Sequence, residues 1–288
     1  MAGTVMAIAG TLFHGPQRRQ AIGTVASGIA LGPIAGIPAM TLIASLSSWR
    51  VSYGLLSVCA LVFMVLAWRF LPNDNVRDAG SLNIPLLLSS YVPLLRTRSM
   101  VTLYSSTLMR AIGWMGVITY VGAFLDQQYG LSTREIGWTA MAAGSGNFIG
   151  TKAAGSSLFT MDLRRLYGMA TIVSGLLFGI ALVLPLGVLG AVLTLTLGAA
   201  VGGLAFVALT TLVSSESTYP QGATMSLNSS MFTLGSALGG FFGGILLAVG
   251  GFELMGIGLT AFMILAGACV WHPATLTLPF FGRSATAD

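Results

Sequence analysis

Charged and polar side chains are rare enough in this sequence that each one inside an apolar stretch calls for a reason. Thr102, Ser106 and Arg110 recur at four-residue spacing, and Trp114 follows one turn later, so the four share one helical face. Asn147 and Asn228 also fall in the middle of apolar stretches. In hydrocarbon such groups face a bundle interior or a water-filled path, because exposing them to lipid is costly. Two readings of Arg110 stand side by side. It lines an aqueous pathway with Ser106 and Trp114 and meets an anionic group, or it snorkels or pairs structurally. For Asn147 and Asn228 an interhelical hydrogen bond is the plainer account, with contact to a substrate as the sharper one. Asp and Glu residues all avoid the middle of apolar stretches, and both histidines, His14 and His272, sit at their ends. Nothing in the pattern holds a metal: there is no H-E-x-x-H and no Asp-rich cluster, so we expect no catalytic residue, no cofactor and no enzyme.

The elements that must carry these residues are membrane spans. Hydrophobic residues make up 55% of the chain and charged ones 7%, against about 25% charged in soluble domains. So few charges cannot cover a water-exposed surface of this size, and the lipid bilayer is the implied solvent. The 13 basic residues are scattered, with no run longer than two, which argues against nucleic acid as a partner. Cys59 and Cys269 lie in apolar stretches and read as small buried residues. Full spans are expected at Gln20–Leu46, Trp49–Leu71, Met100–Leu125, Ile136–Leu158, Tyr167–Leu184, Leu189–Val213, Ala223–Val249 and Phe252–Trp271. Met1–Phe13 is too short to cross and reads as the inner half of a span whose outer part is missing, as in a chain begun inside a longer reading frame. The apolar stretch IPLLLSSYVPLL, broken by Pro85 and Pro93, reads as a short helix in the interface.

Basic residues set the orientation. The loops with Arg18 and Arg19, with Arg69 to Arg98, and with Arg164 and Arg165, plus the tail with Arg283, hold nine, while the alternate loops hold two, Arg50 and Arg134. The first set is therefore expected in the cytoplasm, as is the C-terminus. The division expected is 1–71 as a partial N-terminal bundle, 72–98 as a cytoplasmic central loop, 99–271 as a six-span C-terminal bundle, and 272–288 as a cytoplasmic tail.

One stretch is specific enough to name a family. Gly28-x-x-x-Gly32-Pro33-x-x-Gly36 follows the Pro16-Gln17-Arg18-Arg19 turn and leads to Trp49-Arg50. It resembles the antiporter signature in the fifth span of major facilitator superfamily transporters, with Ile37 in place of its last glycine. The spacing predicts a helix kinked at Pro33 and closely packed on another helix. Gly235-x-x-x-Gly239-Gly240-x-x-Gly243 repeats it after a second Pro-Gln pair, Pro220-Gln221, as expected of duplicated bundles. Tyr120–Gly137 and Gly222–Gly240 are similar to stretches of drug and sugar efflux members. Asp162, Arg164 and Arg165 remain of the family's cytoplasmic loop motif, at altered spacing from Gly155. The resemblance implies an all-α fold of major facilitator-type helical bundles in the cell (inner) membrane, one six-span bundle being complete and the other present as its second half. It implies efflux of a small drug-like or sugar-like substrate with proton coupling. The competing expectation is a non-transporting fragment, or a half-transporter completed by a second chain that supplies the missing spans.

Overall fold

A computed structural model of the chain describes residues 13, 15–70, 91–155 and 162–271. The regular structure of the described residues is helical throughout. α1 (Gly15–Leu31) runs through a π-helical segment, Gly32–Gly36, into α2 (Ile37–Leu46), and α3 (Trp49–Phe70) follows. Beyond the gap come α4 (Arg98–Tyr129), α5 (Thr133–Gly155), α6 (Leu163–Val183), α7 (Gly187–Glu216) and α8 (Gln221–Trp271). α8 is two arms, broken where Gly250 and Gly251 leave helical geometry, with Gly251 at φ 66°. A side chain would be strained there, so the glycine pair supplies the turn between the last two expected spans.

As far as they are described, the eight stretches expected to span are helical, and most of the helices begin a few residues earlier than expected. The reason is that lipid offers backbone groups no partner, so the apolar runs close their hydrogen bonds internally. By length and composition, five of the described helices could cross a membrane: α3, α4, α6, α7 and α8. Residues 91–96, the end of the stretch expected to lie in the interface, are helical, and Leu94 is buried. The expected half-span Met1–Phe13 (apart from Phe13), the tail after Trp271, and most of the central loop lie outside the described residues.

The expected kink at Pro33 takes a definite form. A proline cannot donate the helical hydrogen bond, and the chain widens into one π turn, Gly32–Gly36. Around it the run lies along α5. A Cβ on Gly23 would stand 3.1 Å from Gly155 Cα and from the Thr151 carbonyl. Ser27 Oγ meets Thr151 Oγ1 at 3.2 Å, and Thr41 packs on Gly137.

α4 packs on α8, α5 on α7, and α6 on both α7 and α8. The core is two clusters. One gathers Leu103, Tyr104, Tyr167, Val207 and Met225; the other gathers Ile112, Phe124, Phe178, Leu259 and Met263. Outward faces are apolar at helical spacing, as Val173, Leu176 and Ile180 on α6 and Leu189, Leu193 and Leu197 on α7 show. α3 is exposed on nearly every side; Ser52, whose Oγ donates to the Met40 carbonyl, is its buried exception.

Candidate functional site

Arg110 lies where the two core clusters meet, and it is 3% exposed. Its Nη2 donates to the Gly202 carbonyl of α7 at 2.7 Å. The guanidinium carbon stands 5.2 Å from the Trp114 ring centroid and 5.9 Å from that of Phe206. Buried Nε has no hydrogen-bond partner among the described residues. The approach of α4 to α7 is possible because position 202 is a glycine: a Cβ there would fall 2.0 Å from the Trp114 ring. One turn before Arg110, Ser106 is fully buried, shares a hydrogen bond with the Tyr167 hydroxyl and donates to the Ala266 carbonyl at 2.7 Å.

The expected polar face therefore exists, and it is turned into the packed helices. Ser106 and Arg110 do not open on a water path in this conformation; their exposure is 0% and 3%. Trp114 is half-buried and packs against Phe178 at 5.3 Å. Asn147 Nδ2 donates to the Ala199 carbonyl at 3.3 Å, tying α5 to α7, and Asn228 Oδ1 accepts from Thr107 at 2.7 Å, tying α8 to α4. Both asparagines thus make interhelical bonds. Arg110 and Asn147 bond carbonyls one turn apart on α7, and Gly202-Gly203 lets Trp114 and Asn147 approach its backbone.

The glycine signature departs from its expected role. Among the described residues nothing stands within 4 Å of a Cβ placed on Gly28, Gly32 or Gly36. The close helix contact of this run is made one face round, at Gly23 and Ser27. Small residues permit approach, and the neighbour decides which of them is used.

At the basic end the loop residues are engaged. Asp162 caps α6, accepting from the Arg165 backbone N–H at 3.3 Å. Arg164 pairs with Glu216 at the end of α7, and Ser99 at the start of α4 bonds to both. Arg18 donates to the Ser214 carbonyl at 3.0 Å, so α1 also holds that end of α7. Sequence reasoning passed over Tyr167, Ser174, Phe206 and Glu216. Tyr167 and Ser174 are seven apart on one face of α6, a spacing that could have flagged them. The pairing of Arg164 with Glu216 spans 52 residues and left no local signal. A cavity of about 120 Å³ lies between α2 and the start of α5, lined by Pro38, Ala39, Thr41, Leu42, Arg134 and Trp138.

Residues 1–219 match the family model described as Major Facilitator Superfamily. A protein named "Probable sugar efflux transporter" from Helicobacter pylori (strain J99) is 31% identical over 112 residues, which are 38% of this chain and 27% of that protein. One of the same name from Haemophilus influenzae (strain PittGG) is 34% identical over 110 residues, 38% of this chain and 26% of that protein. The chain thus matches about a quarter of the length of these relatives. The crystal structure of the human organic anion transporter MFSD10 (TETRAN) superposes with a TM-score of 0.73 at 15% identity, over 93% of this chain and 67% of that one. A bacterial homolog of the human lysosomal transporter Spinster gives 0.56 at 14% identity, over 93% and 72%. At such identities the likeness is one of fold.

Proposed function

The chain belongs to the Major Facilitator Superfamily, and from that premise we propose that it is a secondary transporter that exports small sugar-like or drug-like molecules by proton antiport. The observation that carries the reading is the 31% and 34% identity to two proteins named probable sugar efflux transporters. The helical bundle with apolar outer faces and polar side chains buried among its core residues supports it. We place the multi-pass chain in the cell inner membrane with its Arg18, Arg164 and C-terminal end in the cytoplasm, on the basic bias of those loops. Residues 1–71 and 99–271 are then the two bundle portions, 72–98 the loop between them and 272–288 the tail. Asp162, Arg164 and Arg165 act as a cytoplasmic latch through Glu216 and Ser99. Arg110, Ser106, Trp114, Asn147 and Asn228 form the polar track that opens during the transport cycle.

The test is proton-driven efflux from proteoliposomes holding the full chain. Radiolabelled glucose is expected to leave vesicles faster when an inward proton gradient is imposed, and a protonophore should abolish the acceleration. Efflux equal to that of protein-free vesicles would remove the reading.

A second reading is supported by the open glycine face and by α3. The face of Gly28, Gly32 and Gly36 and most of α3 touch no described helix, a surface suited to partner helices. On this reading a second chain completes the transporter. Disulfide trapping through a cysteine at Gly32 should then yield a crosslinked species in native membranes, and its absence would favour the single chain.

A further inference from the structure

The charges inside the described spans are of one sign. Among the described residues Asp126, Glu135, Asp162, Glu216 and Glu253 sit at helix ends or turns, whereas Arg110 lies within α4, long and apolar enough to cross, and Lys152 lies within α5. Lys152 is exposed near the end of α5, but Arg110 is 3% exposed at the junction of the core clusters.

A guanidinium keeps its proton inside proteins, so burial cannot neutralise Arg110 as it could a lysine. What surrounds it is neutral. The Gly202 carbonyl takes one N–H, the Trp114 and Phe206 rings offer their faces, and the Tyr167 hydroxyl is engaged with Ser106. The Ser174 hydroxyl on the adjoining helix is committed to the Gly198 carbonyl. The Arg164–Glu216 ion pair lies at the basic end, and no described carboxylate pairs with Arg110. Ring faces and one carbonyl offset part of the desolvation, and a net positive field is left in a weakly screening interior. Such a field acts without contact: at an effective dielectric near 20, a unit charge about 8–10 Å away changes binding roughly tenfold to thirtyfold.

We propose that Arg110 sets the charge selectivity of the transported substrate, so that the chain favours small organic anions such as sugar acids, takes neutral analogues less well, and rejects amines. The inference rests on the export reading and names its substrate class. Arg110 acts here as a specificity determinant from within the bundle wall and needs no contact with the ligand.

Two triads of similar size test it on the purified full chain in nanodiscs: glucuronate, glucose and glucosamine, then benzoate, benzyl alcohol and benzylamine, at matched ionic strength. The readout is the concentration giving half the maximal ligand-induced rise in melting temperature, in the parent, Arg110→Lys and Arg110→Met. The acid of at least one triad should half-saturate the parent at a concentration about tenfold or more below its neutral member, with the amine weakest. Arg110→Lys should keep that order, and Arg110→Met should compress it to within about threefold. If Arg110→Met fails to insert, Arg110→Gln takes its place. An amine that binds the parent as well as the acid, an order that survives in Arg110→Met, or no saturable response to either triad would overturn the inference. Glucose binding without acid preference removes it and leaves sugar export standing. Acid preference confined to the benzoate triad supports it and removes the sugar.

Discussion

Two glycine motifs of equal spacing meet opposite fates in this molecule. In the first arm of α8, a Cβ on Gly235 would stand 2.5 Å from the Leu108 carbonyl oxygen, and one on Gly239 would stand 2.5 Å from that of Ile112. One on Gly243 would meet the Tyr120 ring at 2.9 Å, and the Tyr120 hydroxyl donates to the Gly240 carbonyl. The matching glycines 28, 32 and 36 meet no described atom within 4 Å. Spacing gives a helix a face that can be approached closely; a partner helix must still arrive. The second motif has α4, whereas the first leans on α5 through a different face. The residue after the second glycine differs too, since Pro33 forces a π turn where Gly240 keeps the α-helix.

The largest effect expected follows directly. Gly239→Leu drives a side chain into a backbone carbonyl that cannot rotate away, and overpacking of that kind costs about 1–3 kcal/mol or more. Its yield of folded protein in detergent should collapse. Gly32→Leu should stay within about 0.5 kcal/mol of the parent when the chain is reconstituted alone, since no described atom is in its way. If both variants fail alike in a fluorescence melt, something covers the first motif and the contrast dissolves.

That contrast marks the limit of what could be read from the residues. The helical stretches were legible because an apolar run of 20 or so residues has one stable form in lipid, and even the Gly250–Gly251 turn fell between two expected spans, while five of the described helices are long and apolar enough to cross. The kink at Pro33 was legible for a local reason, the missing donor. The partner of Gly28, Gly32 and Gly36 was not, since a small-residue stripe does not name what it touches. For the same reason the face of Arg110 could be placed by counting turns, while its burial against Gly202 depended on a helix 92 residues away. Thr102, on that same face, closes its hydroxyl locally on the Arg98 carbonyl, which spacing alone does not reveal.

A smaller effect probes how the two motifs are tethered. Each follows a Pro-Gln pair, and both helices that carry them are fixed at one residue: Arg18 and Gln221 both donate to the Ser214 carbonyl, at 3.0 and 2.8 Å. Gln221 also accepts from the Ser214 hydroxyl. Arg18→Ala and Gln221→Ala should each destabilise by about 0.5–1.5 kcal/mol, the usual net worth of a hydrogen bond. Hydrogen exchange should separate them. Loss of Arg18 should loosen the start of α1, and loss of Gln221 the start of α8. A shared pattern of loosening would mean that Ser214 couples the two helices as one unit.

The smallest effect concerns the far end of the seam that the first motif's run does use. α5 begins with a capping box in which Glu135 accepts from the Ser132 backbone N–H at 2.8 Å and from its hydroxyl at 2.7 Å. These bonds, the hydroxyl's first and the backbone's second, hold the Glu135 carboxyl below its ordinary value, although it is fully exposed. A carboxyl lowered in the folded state adds stability that is present above its unfolded value and is lost as pH falls through its folded one. Acidification below about pH 4, the ordinary glutamate range, should therefore raise exchange in the first turn of α5. The loosening should reach Thr41 of α2, which packs on Gly137 two residues further along α5. Glu135→Gln should show that looser state already at neutral pH and lose the dependence on acid. The α4–α8 contact around Gly239 should stay unchanged in both. Equal acid sensitivity at both motifs would show instead that the two contacts melt together, and the independence drawn from their geometry would fall.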